Sequence, residues 1–97
     1  MAVLMFMHWK GVTPDQYDKV RSDVDWEGDY PTGAIFHAAS FGDGALHVVD
    51  IWQSEGEFRS FLKERLNPAT ERAGIAGQPD VAFYKLHTTF NPGVDRL

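Results

Sequence analysis

The stretch Ser40–Leu66, SFGDGALHVVDIWQSEGEFRSFLKERL, decides the fold. Asp43-Gly44 is a hairpin signal, because both residue types tolerate the positive φ of a type I′ turn. The run after it, Leu46-His47-Val48-Val49-Asp50-Ile51-Trp52, is β-branched and apolar, the composition of a strand. Ser54 followed three residues later by Glu57 is the capping-box pattern that opens a helix. Phe58, Phe61, Leu62 and Leu66 fall on one face of that helix.

Working outward from this core, residues 34–41 pair with 45–53 across the turn, and the helix covers 55–66. Asn67-Pro68 is expected to interrupt it, with a short extra turn over 69–73 and Gly74 as its stop. Strand four covers 81–87, with an extension to Phe90 open. Toward the N-terminus, residues 2–9 make a strand with apolar residues at both parities, so both faces are expected to be buried. Thr13, Pro14 and Gln16 form the entrance of a first helix, with Tyr17, Val20 and Val24 as its apolar stripe and its end near Asp25. Residues 26–33 are a loop. Residues 1–90 form a single domain and residues 91–97 a tail.

The order βαββαβ is ferredoxin-like, an α+β fold. Two helices cover one face of a four-stranded antiparallel sheet. The other face carries Phe36, Ala38, Val49 and Ile51, which a second copy of the chain would cover through an isologous contact.

Composition narrows the function class. Hydrophobic residues make up 43% of the chain and aromatics 13%, which excludes a disordered segment. The chain has no cysteine, so disulfides, thiol catalysis and cysteine-bound zinc are excluded. The formal charge is −5 and the nine basic residues are scattered, so nucleic acid is not an expected partner. The apolar opening Ala2–Met7 is too short to span a membrane, and has neither the basic start nor the cleavage site of a signal peptide. The expected location is cytoplasmic. The four histidines lack close ligand spacing, so no metal is expected. His8 and His87, in neighbouring strands, are expected to approach each other. Asp23–Gly28 imitates the start of a calcium loop, but Ala34 stands at its twelfth position, where a bidentate glutamate is needed.

The turn also sets a register. With Asp43-Gly44 as the loop, Ser40 faces His47, Ala39 faces Val48, His37 faces Asp50 and Ile35 faces Trp52. Opposed residues share a side of the sheet, so His37, Asp50 and Trp52 lie together, with the small Ala39 and Val48 leaving space beside them. One extra residue would place the His and the Asp on opposite faces. The pair reads either as a base with its orienting carboxylate or as two buried polar groups that satisfy each other.

The element order, the length and the segment Asp50-Ile51-Trp52-Gln53-Ser54-Glu55-Gly56-Glu57-Phe58 resemble the dimeric α+β barrel superfamily, in its antibiotic-biosynthesis-monooxygenase-like branch. The resemblance implies a homodimer with a pocket between sheet and helices in each subunit, lined by the Trp of this motif. That would put His37 and Asp50 in the pocket as catalytic candidates. Trp52, Ile35, Ala39, Val48 and Phe58 would line it. Trp26 and Tyr30, in the loop 26–33, read either as its lid or rim or as anchors of the loop. The branch's oxygenating enzymes pair this Trp with an Asn and with a Tyr or His. Val48 has no amide and Phe58 no hydroxyl. The haem-degrading type needs a His along the second helix, and residues 55–73 contain none.

The expected function is therefore that of a cofactor-independent, monooxygenase-like protein for a small aromatic or polyketide-like compound, with no cofactor bound. A non-oxidative isomerase or cyclase would use the same parts. A non-catalytic, small-molecule-binding or stress-related dimer would use only the pocket, so whether the chain is an enzyme stays open at this level.

Overall fold

The computed structural model describes residues 1–96, so Leu97, the last residue of the expected tail, lies outside the described residues. The elements run β1 (Val3–Lys10), α1 (Pro14–Asp23), β2 (Ala34–Gly42), β3 (Ala45–Trp52), α2 (Glu55–Phe61), a π-helical turn (Leu62–Leu66), α3 (Asn67–Arg72) and β4 (Asp80–Lys85). The strands form one antiparallel sheet in the order β2-β3-β1-β4, the ferredoxin-like order. A short 3₁₀ turn, Val94–Arg96, follows near the chain end.

Local chemistry sets the element ends. Asp43 and Gly44 both take positive φ, 55° and 72°, as the type I′ turn requires. Thr13 accepts from the Gln16 amide while the Gln16 side chain accepts from the Thr13 amide, a complete capping box. Ser54 accepts from the Glu57 amide at 3.2 Å. Helix two is not interrupted at Asn67-Pro68, contrary to expectation. Pro68 supplies no amide, and the chain widens by one residue just before it, so that the Asn67 amide reaches the Leu62 carbonyl. The helical path then continues through α3, and Gly74 ends it at φ 73°.

Met5, Met7 and Trp9 of β1 and Leu46, Val48 and Trp52 of β3 point into the core, where Val20, Phe58 and Phe61 meet them from the helices. The opposite face is not buried within the protomer. Phe6 is 43% exposed and Tyr84 60%, so burial of both faces of β1 is not achieved by one chain. His8 and His87 do not approach each other either. The antiparallel register puts His8 across from Asp80, at the far end of β4 from His87. The neighbour of His8 is instead His47, with ring centroids 5.0 Å apart.

The hairpin register holds from Gly42 back to Phe36, with His37 paired to Asp50 and Ala39 to Val48. It then breaks. Ala34, not Ile35, pairs with Trp52, because Ile35 is an extra residue on β2. The bulge turns Ile35 outward, where it is 53% exposed.

Candidate functional site

Between the sheet and the helices lies a cavity of about 70 Å³. Its walls are apolar, drawn from Met7 and Trp9 of β1, Val20 of α1, Val48 of β3, Phe61 of α2 and Ile75 after α3. Its polar end is a small cluster made of Tyr17, Arg21, His37 and Asp50.

The cluster is a continuous hydrogen-bonded chain. Asp50, on the central strand β3, is 3% exposed, and a carboxylate so deeply buried needs donors. It has two. The Trp52 indole N–H donates to Oδ2 at 3.0 Å, and His37 Nδ1 lies 2.6 Å from Oδ1. Since the carboxylate accepts, His37 carries its proton on Nδ1. Its Nε2 is then an acceptor, and the Tyr17 hydroxyl, 2.6 Å away, donates to it. Arg21, one helical turn beyond Tyr17, donates from Nη1 to the Tyr17 oxygen at 3.4 Å, and its Nε is paired with the Glu27 carboxylate. Among the described residues no buried side-chain nitrogen or oxygen lacks a partner.

Each element contributes for a local reason. The type I′ turn fixes β2 on β3 and so sets His37 against Asp50. The capping box and Pro14 start α1 so that Tyr17, Val20 and Val24 face the sheet. Trp26, on the loop after α1, roofs the imidazole with ring centroids 4.8 Å apart. The Tyr17 and His37 rings are nearly coplanar in orientation, 4° apart, which aims the hydroxyl along the imidazole plane.

The electrostatics follow from these contacts. Burial pushes the Tyr17 phenol above its ordinary value, against the opposing pull of the Arg21 cation. The hydrogen bond from Arg21 holds the Glu27 carboxyl below its ordinary range, and the same bond raises Arg21. Tyr17 is therefore a phenol rather than a phenolate at neutral pH, and its hydroxyl is a donor to His37.

Of the residues singled out from sequence, His37, Asp50, Val48, Phe58 and Trp26 border the cavity. Trp52 stands behind it. The indole is fully buried against Trp26, Phe58 and Phe61 and touches the cluster through its N–H bond to Asp50. Tyr30 does not close over the cavity. The loop buries Pro31 and leaves Tyr30 68% exposed. Ile35 is turned out by the bulge, and Ala39, on the edge strand, pairs with Val48 yet stays exposed. Tyr17 and Arg21 were not legible as site residues. Tyr17 reads as one more member of an apolar stripe, and only the tyrosine–arginine spacing of four residues hints that both end at one place. Among the described residues there is no group of three or more metal-ligating side chains. No helix among them is long and apolar enough to cross a membrane.

No protein-family model and no curated protein matches the chain. Solved structures do. A variant of SnoaB, a cofactor-independent oxygenase from Streptomyces nogalater, superposes with a TM-score of 0.65 at 13% identity, over 93% of this chain and 97% of that one. A candidate antibiotic biosynthesis monooxygenase from Caulobacter crescentus gives 0.64 at 14% identity, over 90% and 91%. A protein of unknown function from Nitrosomonas europaea gives 0.67 at 17%, over 94% of both chains. At these identities the likeness speaks for the fold, over nearly the whole length of each chain. The protein thus has an α+β, ferredoxin-like fold shared over nearly its whole length with SnoaB and with the candidate antibiotic biosynthesis monooxygenase.

Proposed function

We propose that the cavity binds a small aromatic or polyketide-like compound with an acidic hydroxyl or activated C–H group, and that the Tyr17–His37–Asp50 chain removes its proton. The observation that carries this reading is the His37 tautomer. Nδ1–H is committed to Asp50, so Nε2 is left with a lone pair, hydrogen-bonded to the Tyr17 hydroxyl, and both residues line the cavity. As the Tyr17 oxygen takes the proton of the substrate, its own proton passes to Nε2. The result is a substrate anion, an intact phenol and an imidazolium held by the Asp50 carboxylate. The dry apolar walls favour this transfer over exchange with solvent.

In a cofactor-independent oxygenation, the anion so formed supplies the electrons that oxygen takes up. SnoaB, of the same fold, is a cofactor-independent oxygenase, and this chain carries the base and the apolar pocket that such chemistry asks of a protein. An isomerase or cyclase would stop at the anion. A second reading, a pocket that only holds its ligand, draws on the closure of the chain: Tyr17 already satisfies Nε2 in the free protein.

The chain is proposed to assemble as a homodimer. The open sheet face with Phe6, Phe36, Val49 and Ile51 is the surface a second copy would cover. A thermal-shift screen of single- and fused-ring phenols, followed by oxygen uptake in chelator-treated buffer, tests the function. Stabilising ligands with oxygen consumption support the oxygenase reading. Stabilisation without turnover supports the holding pocket, and a complete absence of ligands contradicts both.

A further inference from the structure

The loop between α1 and β2 carries Trp26, the roof of His37; backbone bonds from Trp26 to Arg21 and from Asp29 to Asp25 shape it, and a side chain from elsewhere ties it to the second helix. Arg65, in the π-helical turn, donates through Nη2 to two backbone carbonyls, Val24 O and, at 2.6 Å, Asp29 O. Those two carbonyls bracket Trp26. The backbone inside the bracket is the C-terminal cap of α1: Asp25 sits in the left-handed region at φ 54°, which non-glycine residues populate sparsely, and the Asp25 and Trp26 amides donate back to Ser22 O and Arg21 O. The Arg65 guanidinium also stands 5.6 Å over the Phe61 ring, which packs edge to face with the Trp26 indole at a centroid distance of 5.7 Å. Leu66, the next residue, lines the cavity. A second tie, Arg21 to Glu27, lies on the exposed side of the loop, where an ion pair contributes little.

We propose that Arg65 is a positioning residue that latches Trp26 over His37, and that breaking its two carbonyl bonds opens the cavity between the indole and the imidazole to incoming ligand. The planar guanidinium suits the task, because one nitrogen can serve two carbonyls while the plane rests on an aromatic ring. This rests on reading the cavity as a ligand pocket. It adds to that reading the segment that moves, residues 25–33, and the side chain that restrains it. The extra residue of the π-helical turn re-aims the helix face at this point and brings Arg65 to the loop.

The test uses the full chain without ligand. Trp9 and Trp52 are 4% and 0% exposed, whereas Trp26 is half-buried, so acrylamide quenching of tryptophan fluorescence reports Trp26, and Trp26→Phe supplies the blank. Arg65→Met keeps the stem over Phe61 and loses the donors. It is expected to raise the quenching constant and to speed amide exchange across residues 25–33 by about thirtyfold, the effect of two net hydrogen bonds, with exchange in β1 and β3 unchanged. Arg65→Gln, which is too short to reach both carbonyls, should do the same and serves if the Met variant misfolds. Wild-type quenching and exchange in either folded variant would overturn the latch. So would equal acceleration throughout the sheet, which signals general destabilisation. Because no ligand is involved, a failed ligand screen leaves these readouts intact, and the two proposals fail separately.

Discussion

At the scale of single residues, the site is a chain of donors ending on one buried carboxylate, and each link has a distinct consequence. Tyr17→Phe removes the donor to His37 Nε2 and leaves the cavity walls in place. It should lower stability by about 1 kcal/mol, the worth of one net hydrogen bond, read by urea denaturation, and should slow turnover of any substrate found. Asp50→Ala strips two buried N–H groups of their acceptor and should cost about 2–6 kcal/mol, given roughly 1–3 kcal/mol for each unsatisfied group. The Tyr17 phenol gives a pH prediction. Its ionisation lies above the ordinary value of 10.0 because burial disfavours the phenolate. The stability it contributes is therefore fully present below pH 10 and is lost as pH rises through the higher folded-state value. An ultraviolet titration of wild type against Tyr17→Phe should show the missing phenol to be one that ionises above 10, and a missing phenol that ionises below it would contradict the assigned burial. The pairing of His37 with Asp50 was legible in the sequence, because a two-residue turn fixes which residues oppose. It did not show Tyr17, whose helix meets the sheet only through tertiary packing.

At the scale of elements, turns and caps set the geometry that the site inherits. Gly44 has open space around a would-be Cβ, so Gly44→Ala isolates the cost of a left-handed backbone, about 1–2 kcal/mol. For a domain of this size that lowers the melting temperature by roughly 4–8 °C per kcal/mol, measurable by calorimetry. The elements themselves were legible in the sequence to within a few residues, because Asp43-Gly44, the Thr13 and Ser54 caps and the strand composition all act locally. Two features were not. Ile35 alternates like its neighbours, and nothing in its residue type marks the bulge that shifts Ala34 onto Trp52. The π-helical turn arises because the packed helix absorbs Pro68 rather than breaking at it, a choice made by burial of Ala69 and Thr70 beyond the proline.

At the scale of the molecule, one face of the sheet makes the pocket and the other is left open, with Phe6 and Tyr84 edge to face on it at 5.9 Å. The proposed dimer closes that face. Light scattering at micromolar concentration should give twice the chain mass of 10.9 kDa, and Val49→Asp should give monomer or aggregate, since a charge buried there without a partner costs several kcal/mol. The pocket itself lies within one protomer, so its chemistry should survive in a folded monomer.

The central claim is that His37 is the base at the end of an apolar ligand cavity, and the ionisation of a bound phenol tests it most directly. 4-Nitrophenol is colourless as the phenol and yellow as the phenolate. Mixed with the protein at a pH below its own ionisation, it should turn yellow in proportion to the pocket occupied by wild type. With His37→Gln, which keeps a polar side chain but no base, it should bind and stay colourless. Equal yellow colour with both proteins, or none with wild type despite measured binding, would contradict the account.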